Sequence, residues 1–221
     1  MEQRRQELLK IIVKEYIKTA EPVSSGFVVE KFNLPYSSAT VRSEMAQLEA
    51  DGYIVQPHTS AGRVPAERAY RFYIDNFLTD KKAAVFFSLN KSDEQSLKNA
   101  ARELAEKSGL AVFWAIHKNN LYYTGISNLM SQPEFHRYEL AIDVSKVIDQ
   151  LENIIGDIYQ DISYDGDILI GGQNPFGSVC GTVLSKYKSA PGDGMFGIIG
   201  PMRMDYEKCW GLVNAVKMNL Q

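Results

Sequence analysis

The sequence predicts an α+β protein in two parts: an N-terminal winged helix-turn-helix and a C-terminal antiparallel sheet with flanking helices. Three observations lead to this prediction. Residues 1–78 read as three helices, a short hairpin and a fourth helix. Residues 92–221 alternate amphipathic helices with apolar strand candidates that are joined by hairpin-length loops. Residues 79–91, between them, read as a linker or a short helix.

The first three helices are predicted from apolar spacing and from residues that begin or end helices. Apolar side chains recur every three or four residues across 8–17, which indicates one buried stripe. Either Ser24 or Ser25 can cap the second helix by accepting a hydrogen bond from a free amide. Ser37 is the predicted cap of the third helix, and Gly52 suits the left-handed position after its last turn.

A helix-turn-helix places its later helix in the major groove of DNA, so the start of the third helix supplies candidate contacts. Arg42 can donate two hydrogen bonds to guanine. Ser38 and Thr40 can bond phosphate or base edges, or they can merely cap and solvate the helix. The positions predicted to be exposed there are Tyr36, Ser37, Ser38, Thr40, Val41, Arg42 and Glu44.

The hairpin after the third helix is the predicted wing, with strands over 53–57 and 63–65. Its turn and ends supply the candidate DNA contacts His58, Thr59, Ser60 and Arg63. Arg63 is the expected phosphate or minor-groove contact, whereas a lone histidine such as His58 is as often merely exposed or structural.

An aromatic-rich helix is predicted over 66–78, after the wing. Tyr70, Tyr73, Ile74 and Phe77 follow helical spacing, which favours packing over base stacking. We therefore expect them to lie in the core or in a dimer contact.

Charge alone does not indicate a DNA-binding protein. The chain has a net charge of -3, and ten basic and ten acidic side chains balance each other through residue 75. Binding to DNA phosphates needs positive charge that faces the backbone, so any such role depends on where individual side chains lie.

Several other classes of protein are disfavoured by the sequence. No apolar run approaches the roughly 20 residues of a membrane span, and no signal peptide is evident, so no membrane partner and a cytoplasmic location are expected. The histidines are dispersed, and Cys180 and Cys209 read as buried small hydrophobes. We therefore expect no enzyme activity, no cofactor and no metal site.

The second part is predicted to contain three helices and five strands. A glycine-rich stretch over 170–177 resembles a phosphate loop only superficially and is expected to form sheet turns. Arg203 and Asp205 are expected to form a structural ion pair at the start of the last helix. The predicted helices cover 93–107, 144–159 and 204–220, and the strands cover 110–116, 121–126, 167–171, 178–188 and 195–200.

Several segments resemble the HrcA heat-inducible transcription repressors of bacteria. They are Ser38-Ala39-Thr40-Val41-Arg42, the stretches 48–54, 56–65 and 70–75, and, in the second part, 124–135 and 197–206. The resemblance implies a GAF-like regulatory and dimerisation domain over 92–221. It also implies a homodimer that binds the CIRCE-type inverted repeat of chaperone operons, with the GroEL chaperonin as a partner.

The chain departs from that family in one respect. The family's usual inserted dimerisation segment is missing between the first hairpin strands, where only Lys118-Asn119-Asn120 stands. Dimerisation would then use the remaining GAF-like surface or the helix around Tyr70 to Phe77. A competing hypothesis is a ligand sensor whose second domain binds a metabolite, which a deep apolar pocket with converging polar groups would favour.

Overall fold

The computed structural model describes residues 1–79, 85, 87–117, 120–189 and 192–220. Two compact units divide the chain, residues 1–78 and residues 79–221. The predicted linker over 79–91 lies partly outside the described residues, and so do Lys118 and Asn119 of the predicted hairpin turn.

The first unit follows the predicted order of elements. Its helices are α1 (Gln3–Thr19), α2 (Ser25–Phe32), α3 (Ser38–Ala50) and α4 (Glu67–Phe77), and its two short strands are β1 (Ile54–Val55) and β2 (Val64–Pro65). The strands pair antiparallel between α3 and α4.

The predicted stripe of α1 forms the centre of the first unit's core, since Leu9, Ile12 and Val13 are fully buried. α1 contacts α3 and α4, and α2 packs on α3. Tyr70 and Tyr73 of α4 are buried. Of the two predicted alternatives, a core position or a dimer contact, these two aromatic side chains therefore occupy the core of their own unit.

The second unit is built on a five-stranded antiparallel sheet in the order β4-β3-β7-β6-β5. The strands are β3 (Ala111–His117), β4 (Asn120–Thr124), β5 (Asp167–Ile170), β6 (Cys180–Tyr187) and β7 (Gly194–Pro201). The helices are α5 (Glu94–Ser108), α6 (Ile126–Met130), α7 (Tyr138–Asp149), α8 (Leu151–Ile158) and α9 (Tyr206–Leu220), with one-turn 3-10 helices at Pro133–His136 and Gly171–Gln173.

Alternate residues of β3 are buried on opposite faces of this sheet. Phe113 joins a core that includes side chains of α6, α7 and α8, and its ring stacks on Phe176 at 5.3 Å. Trp114 stacks on Phe196 at 4.7 Å. α5 packs on β3, and α9 packs on β6 and β7. An antiparallel sheet covered by helices is therefore confirmed.

The prediction of a single helix over 144–159 is wrong. The structure has two helices there, α7 and α8, which meet at Gln150, whose φ of -102° and ψ of 9° depart from helical values. Leu151 and Ile155 of α8 and Val144 of α7 still reach the same core. The apolar stripe therefore continues across a break that its spacing does not reveal.

Candidate nucleic-acid interface

The turn between α2 and α3 is fixed by two serine caps and a left-handed residue. Ser24 Oγ accepts the amide of Phe27, which resolves the choice between Ser24 and Ser25, and Ser37 Oγ accepts the amide of Thr40. Asn33 ends α2 with a φ of 47°. Ser25 and Ser38 are linked through their hydroxyl oxygens at 3.1 Å, which joins the starts of the two helices.

The inner face of α3 is buried, and two predicted contacts lie on it. Val41 is 2% exposed and Glu44 is 9% exposed, so their predicted exposure is wrong. Residues 41, 44, 45 and 48 share one face because they are separated by three or four positions. Val41 belongs to the core with Met45 and Leu48.

The Glu44 carboxylate is held by two arginines of α1. Arg5 Nε donates to it at 2.8 Å, and Arg4 donates to its other oxygen. The hydrogen bond from Arg5 is the main cause that lowers the pKa of Glu44 below its ordinary value, and the bond from Arg4 adds to it against the effect of burial. This side chain joins α3 to α1 and is not available to DNA.

The outer face of α3 carries one arginine among short side chains. The exposed positions are Ala39, Arg42, Ser43, Ala46, Gln47 and Ala50. Only Arg42 of these six was among the sequence-predicted contacts. The signal for the others was present in the sequence, because positions 39, 43, 46, 47 and 50 lie opposite the buried stripe on a helical wheel.

Of the remaining predicted contacts at the start of α3, some side chains are exposed to solvent and others form hydrogen bonds within the helix start. Tyr36 is 39% exposed, with the Arg4 guanidinium 5.5 Å from the centre of its ring. Ser37 is exposed while its hydroxyl group serves as the cap and also bonds Thr40 at 2.9 Å. Ser38 and Thr40 are half-buried. Their hydroxyl groups therefore have structural roles in the helix start.

The wing is held in place by one glutamine and by a backbone bridge. Gln56 Nε2 donates to the carbonyl oxygens of Thr59 at 3.0 Å and of Ala61 at 2.9 Å. The backbones of Val23 and Arg63 exchange two hydrogen bonds of 2.9 and 2.8 Å. These bonds fix the turn at residues 58–62 against the start of α2.

The predicted DNA role of Arg63 is not supported by its position. Its guanidinium donates to the Glu49 carboxylate through Nε and Nη2, both at 2.9 Å, and its side chain is only 16% exposed. Glu49 also accepts the backbone amide of Gln56. Arg63 therefore holds the wing to α3, which corrects the expectation of a free phosphate contact.

A groove of about 360 Å³ is lined by the wing, by the start of α2 and by the middle of α3. Arg42 lines it from α3, and Thr59 and Ser60 line it from the wing turn. His58, Thr59 and Ser60 are all exposed. The structure therefore brings Arg42 together with the wing turn on one surface of the first unit.

The other features that invited a functional interpretation are structural. In the glycine-rich stretch, the buried Asn174 side chain donates to the Cys180 carbonyl and accepts the Phe176 amide. Cys180 and Cys209 are buried, as predicted; burial raises the pKa of the Cys180 thiol to about 12 and also raises the pKa of the Cys209 thiol. Both thiols are therefore protonated at neutral pH.

Arg203 does form an ion pair near the start of the last helix, but the described pair is with Glu134 at 2.5 Å. The Asp205 carboxylate accepts the amide of Lys208, in the manner of a helix cap. The ion pair with Glu134 joins the guanidinium to the one-turn 3-10 helix Pro133–His136, so Arg203 has a structural role at this position.

Within the described ranges, no helix has both the length and the apolar character needed to cross a membrane. The same ranges contain no group of three or more His, Cys, Asp or Glu side chains placed to hold a metal ion.

Comparison with known proteins identifies one family. The model of the HrcA protein C terminal domain matches residues 75–209. The heat-inducible transcription repressor HrcA of Desulforudis audaxviator is 42% identical over 110 residues, which make up 49% of this chain and 32% of that protein. The HrcA repressor of Pelotomaculum thermopropionicum is 56% identical over 75 residues, or 34% of this chain and 22% of that protein.

The matches thus span about a third or less of the length of these relatives, whose names describe a transcription repressor and not an enzyme. A crystal structure described only as that of a hypothetical protein has the same fold. Its TM-score is 0.81 at 18% sequence identity, and the alignment covers all of this chain and 96% of that one.

Proposed function

The chain belongs to the HrcA family, and from that premise we propose that it is a sequence-specific, DNA-binding repressor of heat-shock chaperone genes. The observation that carries the proposal is the outer face of α3, where a single arginine stands among short side chains beside the wing turn. Such a face allows the helix to come close to base edges while one long side chain reads them.

The first unit is proposed to be a winged helix-turn-helix. The order of three helices, a hairpin and a fourth helix supports this, together with the caps that set the turn between α2 and α3. In this arrangement α3 enters the major groove. Ala39, Ser43, Ala46 and Gln47 would lie against the bases on either side of Arg42, with Ala39 and Ala46 offering only apolar contact.

The wing is proposed to contact the DNA backbone through its turn. His58, Thr59 and Ser60 are exposed there and can donate hydrogen bonds to phosphate oxygens. Tyr36 and Ser37, at the start of α3, are placed for a further backbone contact. Val41, Glu44 and Arg63 are left out of this interface because each has a structural role.

The operator is proposed to be a CIRCE-type inverted repeat, bound by two copies of the chain in the cytoplasm. A two-fold repeat requires two copies of α3, one in each half-site. The second unit is proposed to be GAF-like and to mediate the dimer, since Tyr70 and Tyr73 are used within the first unit's own core. Cooperation with the GroEL chaperonin is part of the same proposal and rests on the family.

The experiment that tests this function is a fluorescence anisotropy titration of the chain against a labelled CIRCE duplex and a scrambled duplex of equal length. We expect tight binding to CIRCE and weaker binding to the scrambled duplex that is lost as salt is raised. Equal weak binding to both duplexes, lost with salt in both cases, would show that the chain does not recognise this operator.

A further inference from the structure

The second unit contains a lysine-lined cavity that the proposed repressor function does not use. Its volume is about 460 Å³, within the usual range of small-molecule sites. Lys91, Lys186, Lys188 and Lys217 line it, together with Tyr164, Tyr187 and Leu220. We propose that this cavity binds a small organic polyanion that carries phosphate or carboxylate groups.

The first argument is the convergence of charge. The chain as a whole is acidic, with a net charge of -3, and its first 78 residues are balanced, so the acidic excess belongs to the second unit. Four ammonium groups nevertheless line one cavity there. Like charges repel across a short distance, and an anion bound between them removes that cost.

The second argument comes from the partners of three of these lysines, all of which are neutral among the described residues. Lys186 Nζ lies 3.4 Å from the Gln160 carbonyl oxygen, and 5.0 Å from the centre of the Tyr159 ring. Lys188 Nζ lies 5.6 Å from the centre of the Tyr164 ring. Carbonyl oxygens and ring faces orient an ammonium group without neutralising its charge.

Lys217, on α9, repeats this pattern. Its Nζ donates to the Asp165 carbonyl oxygen and lies 3.4 Å from the Asn214 side-chain oxygen. Among the side chains that line the cavity, Tyr164 donates its hydroxyl group to the Asp193 carboxylate. In the described contacts, the positive charge of Lys186, Lys188 and Lys217 is therefore available for a ligand.

The third argument is the burial of Lys186 in the wall of the cavity. Lys186 is only 8% exposed. A buried charge is costly unless it is paired, and the described partners of this side chain pair it only weakly. Tyr187 also lines the cavity, and its hydroxyl group accepts the Trp114 indole N–H at 3.0 Å, which ties this wall to the sheet core. Tyr164 and Leu220 supply apolar surface for the organic part of a ligand.

The test is isothermal titration calorimetry on the full chain with two probes, inorganic pyrophosphate and citrate. We expect saturable binding of at least one probe, with one site per chain, and weaker binding at raised ionic strength. Pyrophosphate binding alone would assign phosphate ligands, and citrate binding alone would assign carboxylate ligands. Failure of both probes to bind would overturn the proposal.

The matched variants are the double substitution Lys188→Gln with Lys217→Gln and the single substitution Lys208→Gln. Lys208 is exposed on the same helix as Lys217 but lies outside the cavity lining. We expect the double variant to bind the probe at least about tenfold more weakly, since it loses two charged donors. Lys208→Gln should bind as the wild type does.

Two results would contradict the site. In the first, the double variant binds the probe as tightly as the wild type does. In the second, the wild type binds neither probe and the double variant loses DNA binding. The second outcome would assign the lysines to nucleic acid. Melting temperatures of all variants, compared with the wild type, confirm that they fold. The proposal does not depend on the repressor function, because probe binding is measured without DNA.

Discussion

At the scale of single residues, Glu44 shows how a charged side chain can join two helices. It lies on the buried face of α3 and is held by Arg4 and Arg5 of α1. Its position three residues after Val41 and four before Leu48 could have revealed its burial from the sequence. The identity of its partners could not have been found that way, because they are about forty positions distant and the crossing of α1 over α3 sets them.

We predict that Glu44→Gln lowers the free energy of unfolding by about 1 to 3 kcal/mol, because both arginines lose a charged acceptor. Urea unfolding followed by circular dichroism measures this change. Glu30→Gln, which alters an exposed carboxylate of α2, is the control and should have little effect. An equal, small change in both variants would contradict a structural role for Glu44.

The interaction of Glu44 with the two arginines also makes the free energy of unfolding depend on pH. The arginines lower the folded-state pKa of Glu44, so the unfolded chain takes up the proton first as pH falls. The stability that the pair contributes is therefore present near neutral pH and declines once pH drops through the ordinary value of 4.5 towards the lower folded-state value. The stability difference between wild type and Glu44→Gln should narrow over that range, and a constant difference would contradict this assignment.

Arg63 leads to a second residue-scale prediction. Its guanidinium and the Glu49 carboxylate hold the wing to α3. A double-mutant cycle of Arg63→Ala and Glu49→Ala should give a coupling energy on the order of 1 kcal/mol in unfolding experiments. Zero coupling, together with a large loss of DNA affinity in Arg63→Ala alone, would restore Arg63 as a direct DNA contact.

At the scale of elements, the position of the wing depends on a glycine at a close approach of two backbones. A Cβ at Gly62 would lie 2.5 Å from the Val23 carbonyl carbon and 2.8 Å from that of Pro22. These are backbone atoms and cannot rotate away. The wing can therefore lie beside α2 only because residue 62 has no side chain.

We predict that Gly62→Ala destabilises the chain by about 1 to 3 kcal/mol through this overlap. Gly26→Ala is the matched control, because no atom lies within 4 Å of the added Cβ and the position is in the first turn of α2. It should be neutral or stabilising by up to about 1 kcal/mol. Thermal unfolding measures both, and a harmless Gly62→Ala would mean that the wing is free to move.

The elements also show what sequence patterns could and could not predict. The cap Ser37 and the left-handed Gly52 marked the two ends of α3 correctly because these signals are local. The break at Gln150 has no such signal, since the apolar stripe passes through it and the packing of α7 and α8 on the sheet decides it. The outer face of α3 follows from helical periodicity, because its exposed positions lie opposite the buried residues Val41, Met45 and Leu48.

At the scale of the whole molecule, an inverted-repeat operator requires two chains, because each α3 reads one half-site. We predict that the saturated complex, measured by analytical ultracentrifugation, has the mass of one duplex and two chains. A duplex with a single half-site should bind much more weakly, since it loses the second chain's contacts. Saturation at one chain per inverted repeat would contradict the dimeric arrangement.

The central claim is that Arg42 on the outer face of α3 reads the operator. The most direct test compares the ratio of affinities for CIRCE and scrambled duplexes in the wild type, Arg42→Ala and Lys18→Ala. Lys18 is exposed at the end of α1, so its removal controls for the loss of one positive charge.

We predict that Arg42→Ala weakens binding to the CIRCE duplex by about 1 to 3 kcal/mol and weakens binding to the scrambled duplex much less, so that the ratio of the two affinities falls. Lys18→Ala should leave this ratio unchanged. An Arg42→Ala variant that folds normally and keeps the wild-type ratio would contradict the assignment of α3 as the reading helix.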